Sequence, residues 1–382
     1  MTNNIVPYDN FWYANRALER LEKNLKLTKT IYREYDSEPA TRGKVTKIRR
    51  PGGFTAYQYP TMTTNDLDPF ERTLSLDQFW HVTFGVKDDE LAYSGQRVID
   101  EHIAPAMQAL ANQIETVVSK MLLSTGGRTV ASSPAVIADL TALRAAMNTR
   151  SVPEANRYLA LDAALEQEFL NVAAFTSARD NAQGGQAQVE GMLGRKYGFD
   201  TYFQEILPAL VVSTIAGTGT IAAVVTQAKG VETIIINGSS TLTGIARQGF
   251  QFTIAGDAQV YTVTADATAA GNNISVGISP PLQKAITGSP VVTLGALTGY
   301  GAVACAYHQH AFGIKTANLG ASGNGKGATQ ASVVDPRTNL SVRVTQWYDP
   351  DNSTGPINKV RFDCLFGVTP LDNNMAQGYM NA

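Results

Sequence analysis

The chain has 382 residues, 44% of them hydrophobic and 17% charged, with 31 Lys and Arg against 33 Asp and Glu for a formal charge of −2. These figures exclude a disordered chain, which needs low hydrophobicity and high net charge, and a strongly basic nucleic-acid wrapper. No apolar run reaches the roughly 18 residues of a membrane span, and the first residues lack the apolar core of a secretory signal. Soluble chains average about 25% charged residues, so the low value here predicts that much of the surface is covered, most simply by copies of the same chain. Cys305 and Cys364 lie far apart and read as two free buried thiols of a reducing compartment rather than a disulfide.

Residues 1–37 read as an arm. Ala14, Leu18, Leu21 and Leu25 recur at helical spacing, with Arg16, Arg20 and Lys23 opposite and Lys26 nearer the edge. So short a helix must dock on something. Its basic face is then either simply solvated or a docking face for an acidic partner. RGKVTKIRR at 42–50 alternates as a strand and carries Lys44, Lys47, Arg49 and Arg50. After the turn Pro51-Gly52-Gly53, a second extended stretch is expected at Leu76–Val86. Together, 42–86 reads as a long two-stranded loop that needs a neighbouring subunit to lie on.

The strongest helix signal is 98–123. Ile99, Ile103, Ala106, Leu110, Ile114, Val117 and Met121 share one face, and Glu101, Gln108, Asn112, Glu115 and Ser119 the other. Pro105 is expected to bend its early part. Ala135–Asn148 and Leu165–Phe175 read as helices, Tyr158–Asp162 as a buried strand, and 192–206 as a loop running into a strand. From 213 to 299 the only charged residues are Lys229, Glu232, Arg247, Asp257, Asp266 and Lys284, and short β-rich runs alternate with Gly, Asn and Pro turns. This predicts a small all-β module. Ala302–Thr316 reads as extended, 321–332 as a flexible loop, and Leu340–Trp347 with Lys359–Val368 as an antiparallel pair.

Chemical motifs are weak. Gly320 to Lys326 matches a phosphate loop until its last position, where Gly327 has no hydroxyl for magnesium, and a strand rather than a helix is expected next. His308 and His310 flank Gln309 on an expected strand and share a face, but no third or fourth metal ligand is near. No nucleophile elbow is present. The expectation is no catalytic, cofactor-binding or metal site, and no enzyme.

The layout resembles the major capsid (coat) protein of tailed bacteriophages, of the Hong Kong 97-type fold. GKVTKIRRPGGFTAYQY at 43–59 looks like the first strand of that family's extended loop. Residues 79–118 look like its return strand and spine helix. NRYLALDAALEQEFL and GRKYGFDTYFQEILP resemble the segments leading into the axial domain. RQGFQFTIAGDAQVYTVTAD at 247–266 resembles the β-domain inserted in some coat proteins, typified by a Salmonella short-tailed phage. AVACAYHQHAFGIKTANL and NLSVRVTQWYDPDNSTGPINKVRFDCLFGV resemble the strands closing the axial and peripheral domains.

The resemblance implies an α+β fold: N-terminal arm (1–41), extended loop (42–86), peripheral domain with the spine helix (87–133), axial domain first part (134–212), inserted β-domain (213–299), axial return (300–334) and peripheral C-terminal strands (335–382). It implies a non-enzymatic virion protein, assembled in the host cytoplasm, whose pentamers and hexamers close an icosahedral shell around double-stranded DNA. Itself, a scaffolding protein and a portal are the implied partners, without sequence-specific DNA binding and without a membrane. Arg16, Arg20, Lys23, Lys44, Lys47, Arg49 and Arg50 are the expected subunit or scaffold contacts. Some members crosslink through a Lys–Asn isopeptide bond. Lys44, Lys47, Asn339 and Asn358 are too unspecific to carry that over, and no crosslink is expected. An encapsulin-like nanocompartment shell is the alternative, and a polymer-binding α/β protein with a β appendage a more distant one.

Overall fold

The computed structural model describes residues 10–33, 45–50, 56–59, 70–87, 97–130, 134–172, 175, 193–215, 223–224, 227–237, 242–288, 290–294, 300–320, 328–334, 340–350 and 355–380. The helices are an arm helix (Asn10–Asn24), a short helix (Leu27–Thr30), a spine helix (Arg97–Lys120), and helices Ile137–Thr149 and Ala163–Leu170. The strands of the first half are β1 (Val45–Arg50), β2 (Phe70–Ser75), β3 (Gln78–Lys87), β4 (Arg128–Val130), β5 (Arg157–Leu161), β6 (Arg195–Lys196), β7 (Phe199–Phe203) and β8 (Ala209–Leu210). Next come β9 (Ala223–Val224), β10 (Thr233–Asn237), β11 (Ile245–Ala246), β12 (Gln251–Ile254), β13 (Val260–Val263), β14 (Ala267–Thr268), β15 (Asn273–Ser279) and β16 (Val292–Leu294). The last are β17 (Tyr300–His308), β18 (Phe312–Ala317), β19 (Thr329–Val334), β20 (Ser341–Asp349), β21 (Ile357–Pro370) and β22 (Ala376–Met380). The chain divides into two compact units. One comprises Met1–Lys44, Ser75–Ser119 and Gly313–Val368; the other comprises Val45–Leu74, Lys120–Phe312 and Thr369–Ala382.

The first unit joins the arm and spine helices to a five-stranded sheet ordered β18-β21-β20-β19, with β3 also on β21. The arm helix packs on β19 and β20. Its stripe, Ala14, Leu18, Leu21 and Leu25, is buried together with Tyr13 and Ala17. The spine helix runs through Pro105 without a break and is on the order of 36 Å long. Ile103, Ala106, Leu110 and Ile114 are buried as their spacing predicts. Glu115 and Ser119, expected on the polar face, are buried too.

The expected return strand of the extended loop is corrected here. Residues 78–87 pair antiparallel with β21, from Gln78↔Phe366 to Lys87↔Ile357. Phe84 lies 6.2 Å from Phe362, ring to ring, and Val86 is buried, so the inner end of this strand packs on that sheet. The partner of β1 is instead β2.

The second unit holds two large sheets. The seven-stranded one runs β4-β22-β17-β5-β7-β6, with β8 on β17. Helices Ile137–Thr149 and Ala163–Leu170 give it Leu140, Leu143, Met147, Leu165 and Phe169, which pack with Leu159, Leu161 and Tyr379 in one core. The second helix starts at an Asp162 cap, whose Oδ1 accepts from the Leu165 amide at 3.0 Å. It ends at Leu170, shorter than expected. Residues 215–294 carry a second core of their own, from Ile215 to Val292 with Leu294 against it. A six-stranded sheet, β16-β12-β13-β15-β10-β9, and the pair β11-β14 build that module.

The sheets divide two expected segments differently. Residues 313–334, expected in the axial return, supply β18 and β19 of the first unit's sheet. Residues 376–380, expected with the peripheral strands, form β22 between β4 and β17. The extended reading of 302–316 is also interrupted: Gln309–Ala311 is a 3-10 turn between β17 and β18. Among the described residues no helix is long and apolar enough to cross a membrane.

Candidate assembly surfaces

Docking the arm helix by its apolar stripe leaves Trp12, Arg16 and Arg20 exposed. The Arg16 guanidinium lies 6.0 Å from the Trp12 ring centroid, a cation–π distance. Glu19 shares this exposed surface, so the face is less uniformly basic than its arginines alone predict. Lys23 is in the helix, but its side chain lies outside the described ones.

The arm is fixed at its far end by a carboxylate. The short helix Leu27–Thr30 has no side-chain cap from Lys26, and the first amides of a helix lack internal partners. Glu115 supplies the acceptors from the spine helix. Its Oε1 accepts from the Lys26 and Thr28 amides at 3.1 Å each and from the Thr28 hydroxyl at 2.9 Å. Its Oε2 accepts from the Leu27 amide at 3.1 Å. Periodicity put Glu115 on a solvated face; the buried role was hidden because its partners lie 87 to 89 residues away.

The extended loop is described at its two strands and at its exposed 56–59 stretch, where Tyr57 and Tyr59 stand out to solvent. Lys44 lies outside the described residues. Lys47, Arg49 and Arg50 sit on β1, with their side chains outside the described ones. The expected contact residues therefore fall in two groups, Arg16, Arg20 and Lys23 on the arm and Lys47, Arg49 and Arg50 on β1.

The base of this loop does not wait for a neighbour. Arg72 of β2 is 6% exposed and donates from Nη2 to the Ser279 hydroxyl. Its Nη1 lies 3.5 Å from the Glu232 carboxylate. Thr73 donates to the same carboxylate at 3.0 Å, and Leu74 is fully buried. Sequence reading passed over Arg72 because a lone arginine in an acidic, polar stretch looks solvated.

A third exposed feature is β3. Phe79 and Trp80 are 48% and 37% exposed on this strand, which pairs only with β21 among the described residues.

The chemical candidates come to little. His308 is buried at the end of β17, where its Nδ1 accepts from the His310 amide at 3.2 Å. The two rings are 5.2 Å apart, centroid to centroid, across a turn rather than along a strand. Burial, then the neighbouring His310 and Arg157, holds His308 below the usual histidine range. No group of three or more potential metal ligands occurs among the described residues. Both cysteines are free and buried; burial pushes the Cys364 thiol up to about 12 and the Cys305 thiol higher still. The phosphate-loop-like stretch, apart from Gly320, lies outside the described residues, and the strand expected after it is β19.

No protein-family model matches the sequence, and no curated protein matches it. Solved structures are similar. A chain from Mycobacterium phage Che8 matches over 93% of this chain and 90% of its own length, at 11% identity and a TM-score of 0.51. A chain from the capsid structure of cyanophage P-SCSP1u matches over 90% and 84% at 13% identity, with a TM-score of 0.49. One from the mature capsid of bacteriophage PhiM1 matches over 89% and 83% at 11% identity, also with a TM-score of 0.49. At such identities the likeness to the Che8 chain speaks to the fold. The mixed α+β fold expected from the sequence, of the Hong Kong 97 type, is the fold that the chain has.

Proposed function

We propose that this chain is the major capsid protein of a tailed bacteriophage, a structural protein with no catalytic role. Its copies form pentamers and hexamers that close an icosahedral shell around packaged double-stranded DNA. The observation that carries this reading is the fold shared along nearly the whole chain with one from a phage, 93% of this chain against 90% of that one. A low share of charged residues and exposed Trp12, Tyr57, Tyr59, Phe79 and Trp80 support a surface made to be covered by other copies. Weak pairwise contacts suffice, because closure of a shell multiplies the contacts of every subunit.

In this reading the arm's exposed Arg16 and Arg20, with Lys23 beside them, meet an acidic scaffolding protein or neighbouring subunit. Lys44, Lys47, Arg49 and Arg50 of the extended loop meet an adjacent subunit. A portal occupies one vertex, and assembly takes place in the host cytoplasm before the protein becomes part of the virion. A net charge of −2 keeps the genome from adhering to the inner wall. Residues 213–299 fold as an inserted unit, consistent with the core that they hold among themselves.

Sizing chromatography with light scattering on the purified protein, alone and with its co-expressed scaffold, tests this reading. A megadalton particle that contains DNA when isolated from infected cells is expected. A particle filled with a protein cargo would favour the nanocompartment alternative, and a monomer under all these conditions would overturn the proposal.

A further inference from the structure

We propose that the inserted β-module is the seat of the extended loop, and that Arg72 is the positioning residue that fixes the loop's return strand to it. This rests on the coat-protein reading for its consequence in assembly, but not for the contact itself.

Among the described residues the loop's two strands, β1 and β2, form a sheet of two strands. Such a pair is marginal by itself in water, so its direction must be set by what it touches. Arg72 and Leu74 are two residues apart on β2 and therefore share a face, and both are buried. The Arg72 side chain is turned toward the module. The Arg72 guanidinium reaches the Ser279 hydroxyl at the end of β15 and the Glu232 carboxylate just before β10. Register places these two strands side by side, with Thr233 opposite Gly277, so Arg72 bridges two adjacent strands of one sheet. Thr73 adds a second bond to Glu232.

The seat is itself fixed to the rest of the second unit. Ser279 donates onward to the Asn373 side-chain oxygen at 2.7 Å, and both residues are fully buried. Gln259 and Asn374 exchange side-chain hydrogen bonds at 3.2 and 3.3 Å. Gln251 and Thr262 donate to the Thr125 carbonyl at 2.9 and 3.1 Å. A guanidinium fork held by a carboxylate and a hydroxyl fixes direction as well as distance, which a single point charge does not. The module thus sets the angle at which the loop leaves the subunit, and that angle decides where Tyr57, Tyr59 and the basic residues of β1 arrive on a neighbour.

The test is amide hydrogen exchange on the full-length protein before assembly, comparing wild type with Arg72→Met, which keeps the length of the side chain but removes the fork, and with the milder Glu232→Gln and Ser279→Ala. Expected is at least about tenfold faster exchange at 70–75 in Arg72→Met, as the loss of charge-assisted bonds implies, with β12, β13 and β15 exchanging as in wild type. Shells of this variant should then form more slowly or with aberrant curvature. Unchanged exchange at 70–75 would overturn the proposal. Equal loosening of the whole module would also overturn it, since Arg72 would then be holding the module together rather than aiming the loop. Should Arg72→Met fail to fold, the same criteria apply to the two milder variants, whose smaller increases should again be confined to 70–75. Exchange is read on the unassembled chain, so a wild type that forms no shell would refute the coat-protein reading and leave this contact standing.

Discussion

Glu115 gives the sharpest energetic prediction. One buried carboxylate, 3% exposed, accepts four hydrogen bonds from Lys26, Leu27 and Thr28. Hydrogen bonds to a charged group contribute about 1.5–3 kcal/mol each, and a buried donor left unpaired costs about 1–3 kcal/mol. The four bonds share two oxygens and one segment, so they do not add. Glu115→Gln keeps one oxygen and turns an amide toward the remaining N–H groups; it should cost about 2 kcal/mol, on the scale of one lost charged bond. Glu115→Ala abolishes all four and should cost about 4 kcal/mol, because it leaves three backbone N–H groups and a hydroxyl without their acceptor, at about 1–3 kcal/mol each and short of additivity. The loss is capped by the free energy of docking the arm, because the arm detaches before its amides stay buried and unpaired. The assay is amide exchange at Leu27, Thr28 and Ile31. Four kcal/mol corresponds to about a thousandfold faster exchange in Glu115→Ala, and 2 kcal/mol to about thirtyfold in Glu115→Gln. Thr28→Val, which removes only the hydroxyl bond, should fall below both. Wild-type exchange at these amides in Glu115→Ala would refute the anchor. So would equal acceleration along β20 and β21, which would mean that the carboxylate supports the whole unit.

Three further outcomes follow from local geometry. Gly249 has φ +86°, and a Cβ there would sit 3.0 Å from the Leu123 Cβ and 3.2 Å from Leu210 Cδ1; Gly249→Ala should cost about 2 kcal/mol from strain and crowding, read as a lower urea midpoint with an unchanged slope. His308 has its folded value below the ordinary 6.5, so the unfolded chain takes up the proton first and stability falls as pH drops below about 6.5 until the folded value is passed; His308→Asn should flatten the urea-midpoint profile just below about pH 6.5, and an unchanged profile would contradict the assignment. Cys305 and Cys364 are fully buried with their thiols raised by burial, so neither should react with a thiol reagent at pH 8 until the protein is unfolded, after which both should.

What could be read from the sequence divides along a physical line. The spine helix and the β-module carry their signals within a few residues: apolar spacing in one, charge depletion and closely spaced turns in the other. The arm's stripe, Ala14 to Leu25, was equally plain, and its cover turned out to be β19 and β20 of the same chain. Features that depend on distant partners were not legible. Residues 78–87 alternate as any strand does, and nothing local tells that their partner is β21, some 280 residues away by register, rather than β1. AQGYM at 376–380 is too short and too poor in β-formers to announce a strand, yet every residue of it is buried between β4 and β17. Glu115 and Arg72 look like solvated charges until the segments that enclose them are known. Of the expected contact residues, Arg16 and Arg20 are exposed as the stripe required, while Glu19 beside them was overlooked.

The central claim is that copies of this chain close a shell through the surfaces described, and electron microscopy of the particle purified from cells making the protein, alone or with a candidate scaffolding protein, tests it most directly. Closed icosahedral shells are predicted, built from fivefold and sixfold rings of this chain, with Tyr57 and Tyr59 of each extended loop covered by an adjacent subunit. Monomers or open aggregates without fivefold and sixfold rings, or rings in which those tyrosines face solvent, would contradict it.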